Sequence, residues 1–187
     1  MKASPDFISS LKEDEIFVFG SNLSGIHGAG AAKQALKWGA RWGQSFGRQG
    51  QTYAIPTKDQ TVYRSLTSNE IFPFVKEFTE YAKHNPQLNF LVTEIGCGLA
   101  GNSPKEIAPL FKEAFLLENV FLPKRFVQII LPKPEKLNLK ETNVVLEYIN
   151  GNLNPEGKTS FLVEIEKQQE KREIKIELIK EPSQGMK

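Results

Sequence analysis

Two glycine-rich stretches hold the residues of this sequence that are best suited to bind a phosphate. The first is FGSNLSGIHGAGAAKQALKW, residues 19–38, and the second is IGCGLAGNSP, residues 95–104. Each lies between a short apolar run and a segment with helical spacing. Glycine lacks a Cβ, so a ligand can approach its main-chain amide closely. Amides just before a helix also carry a partial positive charge, which favours an anion.

The two loops together are more informative than either one alone. A single glycine turn between a strand and a helix requires no ligand, because glycine also lets the chain turn. Two such loops that follow two strands of one α/β sheet lie at the same edge, where ligands of such sheets bind. The pair therefore predicts a site that encloses a diphosphate.

Short apolar runs alternate with amphipathic segments along the chain, which is typical of an α/β layer structure. Thr67 or Ser68 is expected to cap one helix, and Ser103 with Glu106 another. Pro56 is expected near the end of its strand or on an edge. Strands are predicted at 15–20, 51–58, 88–96, NVFLP and FVQIILP, and helices at GAGAAKQALKW, TSNEIFPFVKEFTEYAKHNP and SPKEIAPLFKEAFL.

The pattern changes after Pro132. Residues 161–166 and 173–180 alternate between apolar and polar side chains around a polar turn, which predicts a β-hairpin. An isolated hairpin is marginally stable in water, so we expect this one to pack on the main domain or on another copy of the chain. We accordingly divide the chain into a main domain, 1–132, and a C-terminal extension, 133–187.

Composition excludes several classes of function. The 187 residues include 24 basic and 22 acidic ones, a formal charge of +2, which is too weak a bias for a nucleic-acid or membrane-surface protein. Cys97 is the only cysteine, so no intrachain disulfide forms, and two histidines with one cysteine make no zinc cluster. No apolar run has the length of a signal peptide or a membrane span. We expect a cytoplasmic protein with no metal, cofactor or membrane partner.

The loops GSNLSGIHGAGAA and TEIGCGLAGNSP resemble the two ligand loops of macrodomains, which are ADP-ribose-binding α/β/α modules. The spellings GAGAA and IGCGL are closest to the class that includes the terminal ADP-ribose protein glycohydrolase and the macro module of a chromatin-remodelling enzyme. With YAIPTK and EIGCGLAG, the chain is also similar to a macrodomain-like group carried by phages and bacteria. The resemblance covers roughly residues 15–123 and does not reach the C-terminal third.

This resemblance implies a three-layer α/β/α domain with a mixed central sheet, and a ligand that is ADP-ribose or a related NAD-derived nucleotide. Asn22 matches the asparagine that meets the distal ribose. The two loops would wrap the diphosphate from opposite sides through main-chain amides, and Cys97 would be a small buried apolar residue rather than a nucleophile. The ligand-binding residues implied are Asn22, His27, Gly28, Ala29, Gly30, Ala31, Glu94, Gly96, Cys97, Gly98, Leu99, Ala100 and Gly101.

The resemblance also implies a catalytic lysine. In the glycohydrolase of that class, a lysine after the second strand attacks the ribose and an acid in the second loop assists. Lys58 stands at the lysine position, with Asn22 to orient the ribose; its alternative role is that of a solvated lysine at a strand end. Ala100 stands where that class has an aspartate, and alanine neither donates nor accepts a proton.

Three residues are candidates to replace the missing acid, and each also has a structural explanation. Asp59 is equally a turn residue, Glu94 a residue at a strand end and His27 a loop histidine. Three aromatic residues either stack on a base or pack locally: Trp38, Trp42 and Phe46.

The sequence thus leaves three functions open. The first is a hydrolase that removes ADP-ribose from a protein or nucleic-acid acceptor. The second is a non-catalytic module that senses or sequesters a free nucleotide, which Ala100 favours. The third is an interaction protein whose C-terminal hairpin mediates homo-oligomerisation or docking of a partner.

Overall fold

The computed structural model describes residues Ala3–Leu131. The predicted hairpin and the rest of the extension lie outside these residues. The strands are β1 Ala3–Ser4, β2 Glu15–Asn22, β3 Gly47–Gln49, β4 Thr52–Lys58, β5 Asn89–Val92 and β6 Val120–Pro123. The helices are α1 Gly30–Ala35, α2 Ser68–His84, α3 Pro104–Ile107, α4 Lys112–Phe115 and α5 Lys124–Ile130, with 3-10 turns at Leu36–Trp38 and Ala108–Phe111.

The strands form one six-stranded mixed sheet in the order β1-β6-β5-β2-β4-β3. Only β3 is antiparallel to its neighbour. Helix α1 packs on β2, α2 on β4 and α5 on β6. The α/β class and the mixed sheet that the sequence predicted are confirmed.

The strand order opens a crevice beside the two glycine loops. Strands β2 and β5 are adjacent and parallel, but the chain leaves β2 toward β4 on one side and leaves β5 toward β6 on the other. Connections that diverge in this way separate at the carboxyl ends of the two strands, which is where open α/β sheets bind ligands. Both glycine loops begin at this point.

The core forms around β2, whose residues 16–19 are all buried, as in an interior parallel strand. Phe78 of α2 packs edge-on against Phe90 of β5 and Tyr53 of β4, with ring centroids 5.5 and 5.1 Å apart. Phe111 extends the aromatic cluster at 6.3 Å from Phe78. This packing fixes β4 and β5, the strands on either side of β2.

Local sequence signals placed the helix starts correctly. Thr67 caps α2 in a capping box with Glu70, and Ser103 caps α3 in another with Glu106. Pro56 lies beyond the residues of β4 that pair with β3, as expected of a strand proline.

Two predicted elements are wrong in type or continuity. In the run predicted as the strand FVQIILP, residues 126–130 belong to helix α5 and not to a strand. A short apolar run does not distinguish a buried strand from a buried helix by periodicity, and here Phe126 and Val127 are both buried on a helix. The helix predicted over SPKEIAPLFKEAFL is interrupted by the 3-10 turn at Ala108–Phe111. Pro109 lies in this turn, and its ring and missing N–H are incompatible with a continuous helix.

Other differences concern strand length. Strand β5 ends at Val92 rather than at residue 96, so the turn at 95–100 begins earlier than predicted. The short strands β1 and β3 were not predicted.

Within the described residues, none of the helices is long and apolar enough to cross a membrane.

Candidate binding site

A cavity of about 450 Å³ lies at the carboxyl ends of β2, β4 and β5. It brings together most of the site residues expected from the sequence: Asn22, Gly28, Ala29, Gly30, Ala31, Lys58, Glu94, Gly96, Gly98, Leu99 and Ala100. His27, Cys97 and Gly101 do not line it. The remaining lining residues are Gly20, Ser21, Ile26, Ala32, Thr57, Val62, Thr93 and Ile95.

The first loop presents main-chain donors to this cavity. Helix α1 begins after Ala29, whose side chain makes no cap hydrogen bond. The amides of Gly30, Ala31 and Ala32 precede the first possible intrahelical acceptor, and the first such bond runs from Lys33 N to Ala29 O at 3.1 Å. All three of these residues line the cavity, so their donors are available to a ligand.

The second loop presents donors of the same kind. Backbone bonds fold it back on itself: Cys97 N to Glu94 O at 3.1 Å, Gly101 N to Gly98 O at 2.8 Å and Asn102 N to Gly96 O at 2.9 Å. The amides of Gly98, Leu99 and Ala100 have no acceptor among the described residues. The Ser103 side chain accepts a hydrogen bond from Lys105 N at the start of α3. The free amides therefore belong to the loop and not to the helix.

The two loops approach each other across the cavity. Gly30 has a φ of +54°, and a Cβ at this position would lie 3.4 Å from Leu99 Cδ1. The Leu99 side chain is 72% exposed, so it extends from the second loop over the first. Glycine at position 30 therefore provides the left-handed backbone conformation, and the second loop lies within contact distance of it.

Asn22 organises the start of the first loop. Its Oδ1 accepts from Ser24 N at 3.2 Å and from Ile26 N at 3.0 Å, and its Nδ2 donates to Ile26 O at 2.6 Å. An amide group has two N–H donors, so one donor of Asn22 stays available to a ligand. Asn22 also pairs with Lys58 where the register between β2 and β4 shifts.

Lys58 lies at the end of β4 and lines the cavity. Its Nζ donates to the Val62 carbonyl at 3.2 Å. Asp59, a candidate acid, does not line the cavity. A hydrogen bond from Thr61 and the charge of Arg64 hold the pKa of Asp59 below its usual range, so this carboxylate is ionised and already paired.

His27 is fully buried behind the loop. Its Nε2 lies 3.1 Å from Ser21 Oγ, its ring packs edge-on against Phe19, and its Nδ1 has no hydrogen-bond partner among residues 3–131. Burial lowers the pKa of His27, so the ring is neutral. An unpaired lone pair costs less than an unpaired N–H, which assigns the proton to Nε2. His27 thus anchors the loop to β2 from outside the cavity.

Cys97 also turns away from the cavity. Burial, and to a lesser degree the charge of Glu94, raises the pKa of the Cys97 thiol to about 11. Thiolates are the reactive form of cysteine, so a thiol with this pKa is inert at neutral pH.

The cavity continues into a second groove of about 740 Å³, with which it shares Ala31, Thr93 and Glu94. The groove lies between the segment after β1, which carries Asp6 and Phe7, and helix α5. Phe7 is 76% exposed. This groove could not be predicted from the sequence, because β1 is only two residues long and α5 was predicted as a strand.

The acidic side chains that line the cavity and the groove are paired with neighbouring cations. Glu94 lies 3.7 Å from the Arg125 guanidinium, and Asp6 lies 3.2 Å from the Lys124 amine. Glu94 is the one acidic residue that lines the 450 Å³ cavity within the described part of the chain. Its charge is thus opposed by a neighbouring cation.

The aromatic residues after α1 do not line the cavity. Trp38 packs against Phe17 with ring centroids 4.9 Å apart, and Phe46 packs against Tyr53 at 5.7 Å. These two rings therefore pack locally. Trp42 is 60% exposed, and a Cβ at Gly28 would lie 3.9 Å from Cη2 of its ring.

No group of three or more His, Cys, Asp and Glu side chains in residues 3–131 is placed to hold a metal. Searches for similar proteins found no matching family model, curated protein or solved structure.

Proposed function

We propose that this chain binds ADP-ribose, or a closely related NAD-derived nucleotide, in a macrodomain-like three-layer α/β/α domain. The observation that carries the proposal is the set of unpaired main-chain amides in both glycine loops, on the walls of one cavity. The cavity lies at the point where the connections from β2 and β5 diverge. The resemblance of both loops to those of macrodomains supports the same ligand.

A diphosphate suits these walls better than a neutral ligand does. Amides from the first loop and from the second loop converge from two sides, and a diphosphate offers acceptor oxygens to both. Hydrogen bonds to a charged acceptor are about twice as strong as neutral ones. The Arg125 guanidinium offsets the Glu94 carboxylate, so the described residues that line the cavity include no unopposed negative charge to repel the ligand.

The shape of the site favours one orientation of the nucleotide. The distal ribose would lie by Asn22 and Lys58, at the ends of β2 and β4. The base would lie in the 740 Å³ groove, where the exposed Phe7 ring offers a stacking surface and the Asp6 carboxylate an acceptor for an exocyclic amine.

Hydrolysis of an ADP-ribosyl linkage is the second candidate function. It is favoured by the presence of the Lys58 amine in the cavity wall near Asn22. Against it, Ala100 supplies no acid, and neither Asp59 nor His27 lines the cavity. We therefore give non-catalytic binding first place. Lys58→Ala separates the two functions, because a hydrolase would lose turnover of an ADP-ribosylated substrate while still binding ADP-ribose.

Calorimetric titration with ADP-ribose, AMP and NAD tests the proposal. Micromolar binding of ADP-ribose, about −8 kcal/mol, is expected, with much weaker binding of AMP because it lacks the diphosphate bridge between the loops. Equal affinities for ADP-ribose and AMP would contradict the diphosphate cradle. If none of the three compounds gives a heat of binding, the proposed ligand is wrong.

A further inference from the structure

Val62 has an unusual backbone conformation. Its φ is +62°, and it is the only non-glycine residue of Ala3–Leu131 with a positive φ. A β-branched side chain is poorly suited to this left-handed region. Such strain persists only where the surroundings over-determine it, and it is often found at ligand sites. Val62 lines the cavity.

The loop around Val62 is held from within. Val62 N donates to Asp59 O at 3.2 Å, and Asp59 N donates to Arg64 O at 3.0 Å. The Asp59 carboxylate accepts from both the amide and the hydroxyl of Thr61. These bonds close residues 59–64 into a compact turn that leaves the backbone of Val62 little freedom.

The loop is also held from outside. The Arg64 guanidinium makes two hydrogen bonds to Glu70 at the start of α2, at 3.0 and 3.1 Å. On the other side, Ser24 Oγ donates to Gln60 O at 2.6 Å, which connects the turn to the first glycine loop. The turn is therefore a fixed wall of the cavity.

The left-handed conformation of Val62 points its carbonyl at the Lys58 amine. The Val62 carbonyl accepts from Lys58 Nζ at 3.2 Å, and rotation of Val62 out of the left-handed region would turn this carbonyl elsewhere. A lysine side chain otherwise moves freely on its flexible four-carbon stem. The bond therefore keeps the Lys58 amine at the cavity wall.

We propose that Val62 is the positioning residue of Lys58: its left-handed backbone aims a carbonyl that holds the amine where the ligand's distal ribose would lie. The inference rests on the proposed function in taking Lys58 as a ligand-contacting residue. The amine-holding contact itself does not depend on which ligand binds.

Two substitutions separate the backbone conformation from the side chain. Val62→Pro fixes φ near −65° and removes the amide that donates to Asp59, so the carbonyl turns away from Lys58. Val62→Asn is the matched control, because asparagine adopts the left-handed region more readily than valine. The readout is the rate at which an amine-reactive acetylating reagent modifies Lys58 without nucleotide, measured by peptide mass spectrometry. Lys83, which is exposed on α2, is the internal reference.

We expect Val62→Pro to raise the relative rate at Lys58 about fivefold, the effect of losing one hydrogen bond, and Val62→Asn to match the parent. Equal rates in the parent and the proline variant, or an equal rise in both variants, would overturn the assignment. If Val62→Pro loses its cooperative thermal transition, Asp59→Ala replaces it. That change removes the two bonds from Thr61 that hold the turn and should also raise the rate, and an unchanged rate would again overturn the assignment.

A second arm tests the ligand separately. Added ADP-ribose should slow acetylation of Lys58 in the parent if the proposed function is correct. If the variants behave as expected but ADP-ribose gives no protection, the proposed ligand fails while the positioning role of Val62 stands.

Discussion

Helices α1 and α2 both follow parallel strands of the same sheet, yet their first turns are completed in different ways. At α2, Thr67 Oγ1 accepts from Glu70 N at 3.3 Å, and the Glu70 carboxylate accepts from Thr67 N at 2.9 Å. At α1, Ala29 offers no side-chain acceptor. The cap thus pairs the amide of the third residue of α2, whereas all three first-turn amides of α1 have no acceptor in the described part of the chain and lie beside the cavity.

The second glycine loop shows both arrangements within a few residues. Ser103 caps α3, but the amides of Gly98 and Leu99 just before it have no acceptor in the described part of the chain. Of these three helix starts, those of α2 and α3 have a side-chain cap, and that of α1, whose first residues line the cavity, has none.

The largest expected effect comes from adding a charge to the open region. Gly98 lines the cavity, has no positive φ, and has open space where a Cβ would lie. Gly98→Glu therefore places a carboxylate in the cradle without straining the backbone. We expect calorimetry to show at least about 100-fold weaker binding of ADP-ribose, since like charges in close contact cost several kcal/mol.

Gly98→Ala is the matched control and should bind ADP-ribose like the parent, because a methyl group fits the open space. Retained affinity in Gly98→Glu, or an equal loss in both variants, would show that the second loop does not hold the diphosphate.

The next effect comes from giving α1 the cap that it lacks. In Ala29→Ser, the new hydroxyl is positioned to accept from the amide of Ala31 or Ala32, as N-cap serines do. Stability should rise by about 1 kcal/mol in urea unfolding. ADP-ribose affinity should fall roughly tenfold, because one charge-assisted hydrogen bond is lost to the cap.

Ala29→Cys is the control for size, because a thiol is a weak acceptor. A gain in stability without a loss of affinity in Ala29→Ser would mean that these amides do not bind the ligand. The missing cap of α1 would then have no role in ligand binding.

The converse change removes the cap of α2. Thr67→Ala should lower the free energy of unfolding by about 1 kcal/mol, with Thr67→Ser close to the parent because it keeps the hydroxyl. Calorimetry should give the same ADP-ribose affinity for all three proteins. An affinity that falls with the cap would place the start of α2 in the binding site.

The smallest effect concerns the pH dependence of the capped region. The hydrogen bond from Arg64, followed by those from Thr67, lowers the pKa of Glu70 to about 2 from an ordinary value of 4.5. A depressed carboxyl pKa stabilises the fold above the ordinary value, and this stabilisation is lost as the pH falls toward the folded-state value. Urea titrations over that range should show the parent losing more stability than Glu70→Gln. Parallel curves for the two proteins would show that the Glu70 contacts do not stabilise the fold.

Some of the fold could be predicted because its signals are local. The cap at Thr67 needs only the acid three residues later, and Ser103 with Glu106 repeats the same pattern. Helix α5 has no such signal, since its start follows Pro123 without a side-chain cap. Its apolar residues suit a buried strand equally well, and the edge position beside β6 is in fact taken by β1.

Some features of the candidate site could also be predicted from local sequence, and others could not. Glycine marks both loops in the sequence, because few other residues allow the positive φ of Gly30 and Gly96. The left-handed backbone of Val62 has no such marker, since it is imposed by hydrogen bonds across residues 59–64. The burial of His27 against Phe19 likewise depends on tertiary packing rather than on neighbouring residues.

The central claim is that the uncapped amides of the two loops, and not the capped helix starts, receive the ligand. The most direct test is an NMR titration of ¹⁵N-labelled protein with ADP-ribose. We expect the largest amide shifts at Gly30, Ala31, Gly98 and Leu99, with little change at Thr67. Saturable shifts centred on the start of α2, or none in either glycine loop, would contradict it.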